Sequence, residues 1–464
     1  MFKFNSPARD EFDSVDHQTS SPLIKEEIID SVEVGENIQD RSERQSRLSF
    51  ASSFSALHPT NSAYLTTFLL LNTMIGSGIL NQPFVFLNSG ILGGLIGFLI
   101  AASGTWTGLL CLTAAGVHEN VLEYSGLAER AFGAKGELLV DISIIVLTFG
   151  SQLGYILIVG TTLADLLGSW GCGSVVCEDM FVTIVSVGIF VTPVCMFRHF
   201  GHLAWLSLFS IATIVAVLML VMIGGPIKHV TDHKPNDYNL FSITGMLSST
   251  GSIVFSLACA SANFQAYIST ERKARNLSTW RLVTGTAVGV GAIMCSTMGL
   301  VGYLSFGDAT QGMILDNFNQ HPYDFFKIMV VTHLILYIPV NFVIMRYSLV
   351  KVFMKQRSEL LPATTHSIIT IGLLALVTAI VLGLLAAGLG SGEAFSLVLN
   401  LTGGIGGKTY VRICCIFVYI GRIFFPLPRT TCLPILLFHC APIFRLPRYA
   451  DSACGHLPEG DACR

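Results

Sequence analysis

Between residues 62 and 407 the sequence is a succession of apolar stretches of about 20 residues, each long enough at ~1.5 Å per residue to cross a ~30 Å hydrocarbon core. The stretches fall near 62–88, 91–117, 138–167, 179–197, 203–224, 243–269, 280–304, 325–347, 366–388 and 393–407. Backbone polar groups in lipid must be satisfied within the spanning structure, which leaves helices or closed barrels. The alternating strands of about ten residues that a barrel needs are absent, so an all-α polytopic membrane protein is expected. Composition agrees: 52% of the 464 residues are hydrophobic and 12% charged, against about 25% charged in an ordinary soluble chain. A net charge of −3 with no basic block argues against an electrostatic nucleic-acid binder.

Residues 1–60 carry six Lys/Arg and eleven Asp/Glu among serines and read as a disordered cytoplasmic tail that could meet a cytoplasmic partner. No apolar core with a small-residue cleavage site precedes the first span, so no signal peptide is expected. Lys and Arg concentrate in alternate loops, with Arg272, Lys273, Arg275 and Arg281 after the sixth span and Arg346, Lys351, Lys355 and Arg357 after the eighth. Cytoplasmic loops are enriched in these residues, which places the amino terminus in the cytoplasm. Cys172 and Cys177 then fall in a short non-cytoplasmic loop, where they are a candidate disulfide. After Gly407 the composition changes: residues 408–464 hold six of the 16 prolines and six of the 12 cysteines. This segment reads as intron-derived or frameshifted sequence that alters helix 10 and the helix 11 expected after it; the alternative is a divergent tail with a short last span at 431–444. The domain plan is a tail (1–60), a transmembrane domain (61–407) and an atypical carboxyl segment (408–464).

The spans divide five and five around the polar loop 225–239, as in transporters built from inverted repeats whose first helix in each half is broken at mid-membrane. Span one contains Asn72-Thr73-Met74-Ile75-Gly76-Ser77-Gly78 with Pro83 beyond, and two glycines and a proline favour unwinding there. Unwound backbone offers N–H groups to a carboxylate and carbonyls to a cation; the same glycines would also serve close helix packing. Span six has no glycine or proline at its centre, but Ser256, Ser261, Asn263 and Gln265 are more polar than a lipid-facing helix tolerates. In span eight, Thr332 could complete an oxygen cage for Na+ or bond back to its own helix. His333 beside it is a candidate for proton coupling or for a bond to a neighbouring carbonyl. No Walker A loop, HExxH, Gly-x-Ser-x-Gly or paired Cys-x-x-Cys is present. The chain is therefore expected to be no enzyme, to need no cofactor, to have no metal site beyond one for Na+, and to drive any uphill transport by an ion gradient.

With Asn72-Thr-Met-Ile-Gly-Ser-Gly-Ile-Leu80, Leu304-Ser-Phe-Gly-Asp308, Ile314-Leu-Asp-Asn317 and Asn400-Leu-Thr-Gly-Gly-Ile-Gly-Gly407, the chain resembles the amino acid/auxin permease family, in particular its sodium-coupled neutral amino acid transporters and their lysosomal relatives. The resemblance implies a LeuT-type five-plus-five inverted repeat of about 10–11 helices with helices 1 and 6 discontinuous. It implies an ion site at Asn72 and Thr332 and a substrate site at Thr73, Gly76, Ser77, Gly78, Ser256, Ser261 and Asn263, with His333 the candidate for H+ coupling. The expected activity is Na+-coupled transport of a neutral, glutamine-like amino acid across the plasma membrane or a lysosomal or vacuolar membrane. A proton-coupled vacuolar exporter and an amino acid sensor with little net flux are the alternatives.

Overall fold

The computed structural model describes residues 61–407, except 174–177, 197–203, 233–237, 319–322 and 356–360. The tail, Cys177 and the carboxyl segment lie outside the described residues. Each of the ten apolar stretches is a helix or a broken helix, and the described residues contain no strand beyond one isolated bridge between Asn61 and Thr270. Among the described residues six spans, the interrupted one at Ile243–Ser269 included, are long and apolar enough to cross a membrane, and the bent first span makes a seventh.

The first span consists of α1 (Ala63–Met74), a 3-10 turn (Ser77–Asn81) and α2 (Gln82–Ser89), and bends by 52°. Ser62 caps α1 by accepting from the Leu65 N–H. Pro83 stands in the first turn of α2, where its missing N–H costs nothing. Side chains take over the backbone groups that the break frees: Gln82 Nε2 donates to the Gly78 carbonyl at 2.6 Å. There follow α3 (Ile91–His118), the short α4 (Tyr124–Phe132), α5 (Ala134–Ser169), α6 (Asp179–Ser186) running through a π turn into α7 (Thr192–Cys195), and α8 (Ala204–Asp232).

The second half also opens on a broken span, α9 (Ile243–Ser256) and α10 (Ala260–Ser269), interrupted at Leu257, Ala258 and Cys259. It continues with α11 (Leu277–Phe306), 3-10 turns at Gly307–Ala309 and Ile314–Asn317, α12 (Asp324–Met354), α13 (Ala363–Ala386) and α14 (Ser391–Thr402), which ends in a π turn (Gly403–Gly407). The break between α9 and α10 has a tertiary cause. Gly251 lies against the Asn400 carbonyl and Gly403 against the Gly251 carbonyl, so no side chain fits between α9 and the end of the tenth span. Asn400 Oδ1 also accepts from Ser252 N at 3.0 Å and Ser252 Oγ at 2.9 Å. The N-terminal half of the span is thereby clamped, while α10 is held elsewhere, by Asn263 Nδ2 donating to Thr113 Oγ1 of α3 at 2.8 Å.

The core is mainly apolar with polar side chains set into it, and the exterior is apolar as well. Asn81, Gln82, Gln152 and Asn263 are fully buried, whereas Leu99, Ile293 and Ile368 are about 70% exposed. Such an apolar exterior would aggregate in water and is the solvated surface in lipid.

Candidate functional site

The two helix breaks face one another across α5 and α12. Between them lies a cavity of about 90 Å³ lined by Thr73 and Gly76 of the first break, Ala258, Ala260 and Ser261 of the second, Thr148, Ser151 and Tyr155 of α5, and Tyr337 and Asn341 of α12. That is room for about six waters at ~15 Å³ of such space each, or for a small solute. Tyr155 and Tyr337 meet edge to face with ring centroids 5.8 Å apart, and Ser151 and Asn341 line the cavity beside them. No charged side chain lines the cavity. Charges on a solute must therefore be met by the ends of the half-helices, whose N-terminal N–H groups favour an anion and whose C-terminal carbonyls favour a cation. A second cavity of about 10 Å³ lies on the other side of Gly76, lined also by Ser77, Thr213 and His333.

The expected site residues divide. Thr73, Gly76 and Ser261 reach the central cavity, and Ser77 reaches the small one with His333. Gly78 instead packs on Phe255 and Ser256, with its Cβ position 3.1–3.2 Å from their atoms, so it serves helix contact. Ser256 donates back to the Ile253 carbonyl at 2.9 Å, and Asn263 is engaged with Thr113. Asn72 is buried. Thr332 sits on the exposed face of α12, next in sequence to the buried His333. Cys172 takes part in a disulfide, while Cys177, its expected partner, lies outside the described residues. The residues missed from sequence are Thr148, Ser151 and Tyr155 on α5 and Tyr337 and Asn341 on α12. Their signal is polar side chains recurring at helical spacing, as in His333, Tyr337 and Asn341 four apart.

The loop between α11 and α12 docks on the turn of the first break and on the start of α14. Asn81 Nδ2 donates to the Gly312 carbonyl at 2.6 Å, Gly312 abuts Gly392 at the start of α14, and Ser391 Oγ donates to Asp316 Oδ2 at 2.9 Å. Burial pushes the Asp316 carboxyl up to about 7, with Asp165 and Asp179 adding to the rise and the Ser391 bond and Lys327 opposing it. The folded chain thus holds a proton that the unfolded chain loses above its ordinary value of 3.8. Stability is gained as pH falls through about 7 and lost as pH rises through it. The melting temperature in nanodiscs is expected to be higher at pH 6 than at pH 8, and Asp316→Asn should narrow that difference. An unchanged difference in the variant would place its origin elsewhere.

Comparison with known proteins gives the site its context. Residues 59–420 match the family model described as transmembrane amino acid transporter protein, a match that continues past Gly407. A putative sodium-coupled neutral amino acid transporter 11 from Danio rerio is 26% identical over 262 residues, covering 56% of this chain and 58% of the relative. Vacuolar amino acid transporter 2 of Saccharomyces cerevisiae is 30% identical over 261 residues, covering 54% and 53%. The chain thus spans a little over half the length of these curated relatives. Among solved structures, a manganese transporter of Eremococcus coleocola aligns at a TM-score of 0.48 and 10% identity, covering 81% of this chain and 89% of that one. The family match takes in both helix breaks and every residue of the cavity between them, and the chain belongs to the transmembrane amino acid transporter family.

Proposed function

We propose that the chain is a secondary transporter of small neutral amino acids, with Na+ as the coupling ion. The observation that carries this reading is the neutral lining of the cavity where the two breaks meet. An amino acid's carboxylate and ammonium find half-helix ends there, and its side chain finds hydroxyls, an amide and aromatic rings but no counter-charge, which disfavours acidic and basic substrates. Neutral oxygens also suit Na+: Asn72 and the carbonyls released at the end of α1 are the donors. In this reading the cage is built from the first span, with Thr332 standing on the exposed face of α12. H+ is the second reading, favoured by His333, which is buried beside the same break.

Uptake of labelled glutamine into proteoliposomes, under Na+ and H+ gradients imposed separately, tests both. Uptake should follow the Na+ gradient, fall at least about tenfold in Asn72→Ala through loss of a buried polar ligand, and stay unchanged in Thr332→Ala. Uptake that follows only H+ would replace Na+ by the second reading. No uptake of any neutral amino acid by folded protein would sink the transport reading and leave that of a sensor.

A further inference from the structure

His333 and Ser77 face the same small cavity from opposite walls. His333 is 3% exposed and Ser77 is 2% exposed. Neither ring nitrogen of His333 has a hydrogen-bond partner, and neither does the Ser77 hydroxyl. Leaving one such group unsatisfied costs about 1–3 kcal/mol, so three orphaned atoms around one void call for an occupant. The void is about 10 Å³, the room needed for a single water. Its remaining walls are Gly76, Ile79 and Leu80 of the break, Thr213, Ile214 and Val217 of α8, and Val330 and Leu334 of α12. None of these is titratable, and among the described residues Tyr337 is the titratable group that meets the ring, with centroids 5.5 Å apart.

We propose that Ser77 and His333 bind one water between the first-span break and α12, and that this water-bridged pair is a proton site whose occupancy follows the opening and closing of the break. The inference rests on the transport reading and specifies how that site is regulated. Two features link the pair to the substrate cavity: Gly76 lines both cavities, and Tyr337, stacked at a 32° tilt on His333, lines the central one. One water satisfies Ser77 and one ring nitrogen, and the other nitrogen stays unpaired. A neutral ring is tolerated in so small and neutral a space, whereas a charged one needs the wider, wetter cavity of another conformation. Movement of the break that widens the cavity therefore admits the proton, and closure returns it to water.

Two measurements decide the matter. In bilayers containing the ¹⁵N-histidine-labelled protein, water-edited solid-state NMR should show transfer from water to one buried imidazole, identified by its loss in His333→Gln and weakened in Ser77→Ala. In proteoliposomes under a fixed Na+ gradient, wild-type glutamine uptake should change severalfold between pH 5.5 and 7.5, and His333→Gln should flatten that profile. No transfer from water to the His333 ring, or a His333→Gln profile that superimposes on wild type, would overturn the proposal. If wild type carries nothing under any gradient, the transport reading fails, and the water contact alone then decides the site. Should His333→Gln not fold, Ser77→Ala carries the test: a displaced pH profile with one weakened ring signal supports the pair, and no change in either overturns it.

Discussion

Gly76→Val is expected to lower amino acid uptake by more than about tenfold while leaving a folded protein. A Cβ at this position would stand 3.0 Å from the Tyr155 hydroxyl, closer than an ordinary van der Waals contact. Tyr155 cannot easily withdraw, because it is buried and its ring is held edge to face against Tyr337 of α12. Overpacking of this kind costs about 1–3 kcal/mol, and at about 1.4 kcal/mol per factor of ten the upper part of that range is about a hundredfold. The penalty falls on the wall shared by the two cavities, so it acts on solute binding and on the movement of the break more than on global folding. Gly76→Ala should show a smaller loss. Tyr155→Phe in the same chain should recover part of it, since the next nearest Tyr155 atoms lie 3.9 Å from the added carbon. Uptake measured across this set at matched protein levels checks the contact. Wild-type uptake in Gly76→Val would mean that the solute does not bind where the breaks meet.

The contrast between the two broken spans explains how much was legible beforehand. The first break is written locally, in Gly76, Gly78 and Pro83, and the sequence-based expectation of a discontinuous helix rests on propensity. The second has no such residues; it arises because Gly251 and Ser252 of α9 are pinned by Asn400, about 150 positions away, while α10 is tied to α3. No local rule reveals a pairing of that kind. The ten spans themselves were readable because hydrocarbon thickness fixes their length.

Rotation of each helix about its axis decided the fate of the site residues. Thr332 and His333 are neighbours in sequence, but one step along an α-helix turns about 100°, which puts Thr332 on the exposed face and His333 inside. The four-residue spacing of His333, Tyr337 and Asn341 marks the inner face of α12, and Thr332 stands off that line. Asn263 and Ser256 are too polar for lipid, and they donate to Thr113 and to the Ile253 carbonyl. Polarity inside a membrane signals the need for a partner, and only the packed structure says which one.

The same need makes Lys351→Met the most damaging single change expected for stability. Lys351 was read from sequence as one of the basic residues that fix orientation, but in the fold its Nζ is the counter-charge of a half-buried acidic cluster. It lies 2.9 Å from Glu137, 3.1 Å from Asp141 and 3.5 Å from Glu123, and donates to Ser125 Oγ at 2.8 Å. All four partners belong to α4, α5 or the turn before α4, so one ammonium ties α12 to that segment. Removing one partner of a buried ion pair costs about 3–5 kcal/mol, because the other charge is left without compensation. Here three carboxylates remain, but the lysine side chain is 24% exposed and water screens part of the repulsion, so the lower end, roughly 3 kcal/mol, is expected. At ~2 °C per kcal/mol for a chain of this size, the melting temperature in nanodiscs should drop by at least about 5 °C. Charge and packing can be separated by neutralising the cluster: adding Glu137→Gln and Asp141→Asn to Lys351→Met should recover most of the loss, as it replaces an unpaired buried charge by neutral groups of the same shape. Lys351→Met melting with wild type would show that α12 needs no counter-charge at this end. Failure of the added substitutions to recover stability would assign the loss to Glu123 and Ser125, the two partners still left without the ammonium.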